Sequence, residues 1–247
     1  MESNIPRIAQ LDEAEINEVL CRSSKKDFFV DGVSYYSVDE AIFLYPLTFW
    51  NDDAVRIVNE FIKKNKYHDI LLTPIFLGSY REAIHFILLM EKKMSLKPEK
   101  VRILDVGTYL GMFISFMQGL GFENTYGIDQ SSYAIAISKR IGVKNTSEGC
   151  FENMSTLFPK HSFDILLCMG VFDFPEAEQN SRGEEEAFIV NADTLLKPSG
   201  ILIFRPKNTS VAVKEATTDF LRRHGYSIII CDTSGIIAQK SAMTGHA

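Results

Sequence analysis

The chain has 247 residues but only four cysteines, five histidines and one tryptophan. Cys21, Cys150, Cys168 and Cys231 stand far apart and form no CxxC pair, and the histidines are equally dispersed. That spacing excludes a dense disulfide framework and supplies no zinc-ligand pattern, so no metal site is expected. The thiols are expected to be reduced, in a cytoplasmic compartment. Long apolar runs are also missing. The longest, IHFILLM, falls far short of the about 20 residues that cross a bilayer. The opening MESNIPRIAQLDEAE has no basic region followed by an apolar core, so no signal peptide is expected. Basic charge is in deficit, with 26 Lys and Arg against 32 Asp and Glu and a net charge of −6. A general nucleic-acid binder needs a basic face to release counterions, and that class is excluded. Internal repeats and low-complexity tracts are absent.

Apolar residues, by contrast, make up 46% of the chain, and eighteen are phenylalanine. A sizeable core and aromatic packing or an apolar pocket follow. The most informative stretch is Val101 to Gly111, VRILDVGTYLG. Val101, Ile103, Leu104 and Val106 form a short apolar run that reads as a strand buried on both faces. Asp105, Gly107 and Gly111 end it and open a turn. MFISFMQGL follows at helical spacing. A strand, a glycine turn and a helix place backbone N–H groups and a helix N-terminus where they can hold a polar ligand. Gly107 lets the backbone approach that ligand, and Gly111 lets the helix pack against the strand.

Before this stretch, LDEAEINEVLCRSS reads as a helix, and FFVDGVSYYS as a hairpin around Asp-Gly. Asp39 to Lys66 has helical spacing interrupted by Pro46, with AVRIVNEFIKK as one helix behind Asp52 and Asp53. TPIFLGSYREAIHFILLMEKK reads as a long apolar helix opened by Thr-Pro, and Lys97 to Lys100 as a linker. After it, strands and helices alternate. The strands are VRILDV, NTYGID, a weak VKNTSEG, FDILLCMG and ILIFRP. The helices are MFISFMQGL, YAIAISKRI capped by Ser131 or Ser132, EEEAFIVNADTLL before a KPSG turn, and VAVKEATTDFLRRH closed by Gly225. SIIICD and IIAQK close the chain as an antiparallel hairpin. Strand–helix alternation requires right-handed crossovers and a mainly parallel sheet. The expected fold is α/β: a doubly wound seven-stranded sheet with a C-terminal antiparallel hairpin over 98–247, behind a mostly helical lobe over 1–97.

Asp129 ends the second of these strands, 18 residues after Gly111. Adjacent strand ends face one crevice in a doubly wound sheet. A carboxylate there can accept both hydroxyls of a ribose, or simply cap the next helix. From these residues the chain resembles the class I methyltransferases that use S-adenosylmethionine. LDVGTYLG looks like their first motif, YGIDQS the second, SEGCFENM the third, FDILLCMGVFDF the fourth, and LLKPSGILIF the turn before strand five. The resemblance covers about residues 98–240 and rests on five motifs in order.

It implies S-adenosylmethionine as cofactor and methyl transfer to a small-molecule acceptor. It places Asp105 near the methionine amino group, with Gly107, Thr108, Tyr109 and Gly111 shaping the loop. Asp129 would hold the ribose hydroxyls, with Gln130 beside the adenosine. Cys150 and Phe151 would lie at the adenine edge, and Met169 and Gly170 on the methionyl and substrate sides. Two positions depart from the pattern. Tyr109 stands where many members have a second glycine, so a conformation reserved for glycine is not expected there. Cys150 replaces an acid that often reads the adenine amino group, leaving that task to backbone groups or Glu152.

Asp173, in VFDF, is the candidate catalytic residue. It can act as a general base, orient the acceptor, or cap the turn before Pro175. Phe174 follows it where relatives often carry histidine. Glu184 to Glu186 read as a solvated helix start, and PEAEQNSRG as a lid or a surface loop. Tyr80 can reach the cofactor's carboxylate end. His85 reads as a core or surface histidine, and Arg205 can orient an acidic substrate or make a surface pair. Two alternatives remain at this stage. One is a non-catalytic module on the same fold. The other is a nicotinamide dehydrogenase, against which GTYLG lacks the full G-x-G-x-x-G pattern.

Overall fold

The computed structural model describes residues 28–30, 33–38, 41–44, 80–169, 171, 181–205, 211–232 and 235–242. Ten strands and six helices are defined within them.

The first three strands, β1 (Phe28–Val30), β2 (Val33–Val38) and β3 (Ala41–Leu44), form an antiparallel sheet of their own. The hairpin expected around Asp-Gly is present, with Phe28 opposite Tyr35. The helical reading from Asp39 is corrected at its start, because Ala41–Leu44 pairs with β2, Tyr35 opposite Leu44. Ala-Ile-Phe-Leu is a run that either period accepts, and a neighbouring strand in register decides it. Residues 45–66, the aromatics Tyr45, Phe49 and Trp50, and the LDEAE segment lie outside the described residues.

From Arg81 the chain builds the larger sheet and its helices. Helix α1 (Arg81–Met94) leads through a 3₁₀ turn at Pro98–Lys100 into β4 (Ile103–Val106). There follow α2 (Met112–Gly119), β5 (Thr125–Asp129), α3 (Ser132–Arg140), β6 (Thr146–Glu148), the short α4 (Met154–Leu157) and β7 (Phe163–Cys168). The chain ends with α5 (Ser181–Leu195), β8 (Leu196–Phe204), α6 (Val211–Arg223), β9 (Tyr226–Cys231) and β10 (Ile236–Lys240). The seven strands lie in the order β6-β5-β4-β7-β8-β10-β9. Pairings from β6 through β8 are parallel, and β10 is antiparallel to both β8 and β9. This is the doubly wound sheet and terminal hairpin expected. The KPSG turn is absorbed into β8: pairing jumps from Phe163–Leu196 to Ile165–Ile201, and Ser199 takes φ +63° in the excursion.

The period of two along each strand divides the core. Ile103, Ile165, Leu167, Ile201 and Ile203 pack on the face covered by α1, α2 and α3. Leu104, Val106, Leu166, Cys168, Leu202 and Phe204 pack on the other, with Phe188, Ile189 and Leu221 of α5 and α6. Tyr80, Ile84, Phe86, Ile87 and Met90 are buried in the first of these cores. The helix before β4 is therefore part of the same hydrophobic body as the sheet. Asp105 has the parity of Ile103, so its carboxyl enters the α1–α2 side.

One buried ion pair stands at the opposite end of the strands. Lys197 Nζ lies 2.8 Å from Asp164 Oδ2, which also accepts the Arg102 backbone N–H at 2.9 Å.

Candidate cofactor-binding site

β4 and β5 end side by side at the middle of the sheet, with Asp105 opposite Gly127 and Val106 opposite Ile128. The strand order reverses direction at β4, between β5 and β7, which makes this the switch point where doubly wound folds open a crevice. Two carboxylates stand there.

Asp105 is fully buried. The Tyr80 hydroxyl donates to both of its oxygens, at 3.2 and 3.3 Å. Burial pushes the Asp105 carboxyl up to about 7; the Thr108 and Tyr80 hydroxyls pull it back in part, and the charge of Asp129 adds to the rise. Thr108 Oγ1 lies near enough to act electrostatically, without full hydrogen-bond geometry to any group among the described residues. Asp129 is half-buried. Its Oδ2 accepts the Tyr109 N–H at 2.8 Å and its Oδ1 the Ser131 N–H at 2.9 Å. Desolvation raises its carboxyl, and these two bonds oppose the rise. Ser131 in turn caps α3, its Oγ accepting from Ala134 N at 3.2 Å.

Between the two acids runs the glycine turn. Gly107 has φ +80° and Gly111, the residue preceding α2, φ +75°. A β-carbon on Gly107 would fall 2.1 Å from Val171 Cγ2, so Val171 closes over this glycine. A β-carbon on Gly111 would meet Val143 at 2.8 Å and Ser138 at 3.1 Å. Gly111 thus brings α2 against the α3–β6 connection, a correction to its expected contact with the first strand. Tyr109 is a second correction. It adopts φ +51°, the left-handed conformation that the missing glycine was expected to forbid. Four amides of the expected N–H cradle are engaged within the protein. Gly107 N and Thr108 N donate to the Ile128 carbonyl at 2.8 and 3.0 Å, Tyr109 N to Asp129, and Gly111 N to Thr108 O at 2.9 Å. The turn's amides brace the turn itself.

The remaining sequence candidates distribute as follows. Gln130 is exposed beside Asp129. The Gly149 N–H donates to Asp129 O at 3.0 Å, which ties the start of the third motif to the end of β5. Cys150 follows it, half-buried, its N–H bonded to Asn153 Oδ1 at 3.0 Å; burial and neighbouring Glu152 push its thiol up. Phe151 packs edge-on against Phe188, with centroids 6.4 Å apart. Met169, 7% exposed, belongs to the α1–α2 core. Gly170, Asp173 and Phe174 lie outside the described residues.

Gly127 and Val171 were not among the candidates. A β-carbon on Gly127 would stand 2.7 Å from Thr108 Cβ and 2.3 Å from Ile114. An isolated glycine inside a strand is the available signal that another backbone passes close by.

Residues 76–228, more than half of the chain, match the family model described as a methyltransferase domain. The chain belongs to the methyltransferase domain family. A curated relative, EEF1A lysine methyltransferase 2 of Danio rerio, is 26% identical over 132 residues, covering 51% of this chain and 56% of its own length. The chain thus spans about half the length of that relative. Among solved structures, a putative S-adenosyl-L-methionine-dependent methyltransferase from Methanococcus maripaludis superposes with a TM-score of 0.51. It is 14% identical, with 81% of this chain and 96% of that chain covered. The 1,6-didemethyltoxoflavin-N1-methyltransferase of Burkholderia thailandensis, solved with S-adenosylhomocysteine, gives a TM-score of 0.47 at 14% identity, covering 88% and 100%.

The Methanococcus protein is described as S-adenosyl-L-methionine-dependent, and the crevice of this chain can be tested for fit to that compound. A carboxylate offers about four acceptor positions. Asp129 has two of them engaged, which leaves two for a vicinal diol. Asp105 meets only uncharged donors among the described residues, as a site for an ammonium group requires. The amides of Gly107, Thr108, Tyr109 and Gly111 are bound to protein acceptors. The two carboxylates fit a cationic adenosyl compound.

Proposed function

We propose that this methyltransferase acts on a small-molecule acceptor, with Asp105 facing the cofactor's amino group and Asp129 its ribose hydroxyls. The pairing of two carboxylates with a self-braced glycine turn carries the reading of the cofactor site. Gly107, Thr108, Tyr109 and Gly111 form the wall between those acids. Gln130, Cys150 and Phe151 border the adenosine, and Met169 and Gly170 the methionyl and acceptor sides.

Bound S-adenosylmethionine supplies a methyl group already activated by its sulfonium. The protein's task is then to orient and to exclude water. Alignment of two reactants supplies much of an enzyme's acceleration. Asp129 fixes one end of the cofactor and Asp105 the other. Asp173 takes the acceptor's proton, or orients the acceptor where no proton has to leave. The division of the chain into a substrate lobe over 1–97 and a cofactor domain over 98–247 belongs to the same proposal, with α1 packed into the cofactor domain. So does a reducing, cytoplasmic setting, in keeping with the wide spacing of the four cysteines.

The aromatic-rich stretch ahead of the domain, Phe43, Tyr45, Phe49, Trp50 and Phe76, reads either as the core of its own lobe or as a cover that chooses a small acceptor. A protein lysine is the second reading, favoured by the similarity to the zebrafish lysine methyltransferase. Incubation with methyl-labelled S-adenosylmethionine and separated cell-extract fractions distinguishes them. Label in the small-molecule fraction is expected. Label confined to protein, released as methyl-lysine on hydrolysis, establishes the second reading.

A further inference from the structure

We propose that Tyr80 is a positioning residue of the cofactor site, holding the Asp105 carboxylate in the orientation and charged form that receives the cofactor's amino group. The proposal rests on the reading that Asp105 faces that group, and it adds the residue that sets Asp105.

Tyr80 immediately precedes α1 and is 2% exposed. Its ring stacks on Phe113 of α2, with centroids 4.8 Å apart and planes 18° from parallel. The ring therefore has one orientation, imposed by two helices. Its hydroxyl straddles the two Asp105 oxygens at 3.2 and 3.3 Å, and so fixes the rotation of the carboxyl about its own axis.

The charge environment gives this bond a second consequence. The groups facing Asp105 are Tyr80 before α1, Thr108 in the turn, and Asp129 at the end of β5; Cys168 of β7 acts on Tyr80. None is a cation. A buried carboxyl among neutral and negative groups holds its proton, and a cationic ligand must displace that proton to pair with it. A hydroxyl that donates favours the carboxylate, so Tyr80 eases the displacement. Burial and the neighbouring acid keep the Tyr80 phenol well above its ordinary range, so it remains a donor wherever Asp105 titrates.

The test is a calorimetric titration with S-adenosylhomocysteine, which carries the amino group without the sulfonium. It is run from about pH 5.5 to 8 in two buffers of different ionisation enthalpy, which counts the protons released on binding. For the unaltered protein, affinity should fall as pH drops below about 7, up to tenfold per unit, with proton release in the same range. Tyr80→Phe keeps the ring and its stack. It should weaken binding about tenfold at neutral pH, as for a lost bond to a charged group, and move the acid limb to higher pH. Tyr80→3-fluorotyrosine, a stronger donor that keeps the ring and hydroxyl, should move the limb the other way and serves if the phenylalanine variant fails to fold. Unchanged affinity and an unmoved limb in the variant that folds would overturn the role of Tyr80. Asp105→Asn separates the two levels. If it weakens binding while the Tyr80 variants do not, only this inference fails. If it binds as well as the unaltered protein, the reading of Asp105 itself fails.

Discussion

The backbone N–H of Tyr109 donates to Asp129 Oδ2 across 2.8 Å, and Tyr109 makes that bond from a left-handed conformation, φ +51°. For a residue with a β-carbon this conformation costs about 1–2 kcal/mol. The bond to a carboxylate offsets part of it, and the Tyr109 side chain adds contacts to the α1–α2 core. A non-glycine residue thus keeps the loop's left-handed turn, and the acid that braces the loop is the one read as holding the ribose.

This strain separates two substitutions. Tyr109→Ala retains the conformational penalty and loses the packing; Tyr109→Gly loses both. The glycine variant should be more stable than the alanine variant by about 1 kcal/mol in urea denaturation. It should also bind S-adenosylhomocysteine within a fewfold of the unaltered protein. Equal stability of the two would mean that Tyr109 is unstrained.

Gly107 is constrained twice, by φ +80° and by Val171 lying 2.1 Å from where a β-carbon would stand. Gly107→Ala should therefore destabilise the fold by about 2–4 kcal/mol, the sum of a backbone and an overpacking penalty. Adding Val171→Ala removes the clash and leaves the dihedral, so the double variant should recover a part of the loss and not all of it. Additive losses in the double variant would show that Val171 does not press on Gly107.

The Asp105 carboxyl, raised to about 7 by burial, also shapes the stability of the ligand-free protein. Its folded value lies above the unfolded value of about 3.9. Its contribution is therefore fully present below that lower value and is lost as pH rises toward 7. The loss is about 4 kcal/mol at full ionisation. Asp105→Asn removes the titration. The difference in unfolding free energy between the variant and the unaltered protein should shift in the variant's favour from pH 5 to pH 8. A pH-independent difference would place Asp105 outside the titrating groups.

The sheet was legible because its strands are short, β-branched and separated by helices of clear period. Ile103 to Val106, Phe163 to Cys168 and the terminal hairpin are all where these patterns put them. The Ser131 cap was legible for the same local reason. What escaped were features set by partners distant in sequence. Ala41–Leu44 is a strand because β2 lies beside it, and KPSG belongs to β8 because the flanking residues pair with β7. The left-handed Tyr109 is invisible to propensity, which reserves that region for glycine. It follows from an acid 20 residues away. The two site acids were legible as strand ends, and the motif order named their family. The bond from Tyr80 to Asp105 spans 25 residues and depends on how α1 packs on the sheet, which spacing does not encode.

The central claim is that the switch-point crevice holds S-adenosylmethionine between Asp105 and Asp129. Calorimetric titration of the unaltered protein and of Asp129→Ala with S-adenosylhomocysteine and with NADH tests it most directly. S-adenosylhomocysteine should bind and NADH should not. Asp129→Ala should weaken the adenosyl compound by about 1–3 kcal/mol, as for lost hydrogen bonds to a charged group. Undiminished affinity in Asp129→Ala, or binding of NADH alone, would contradict it.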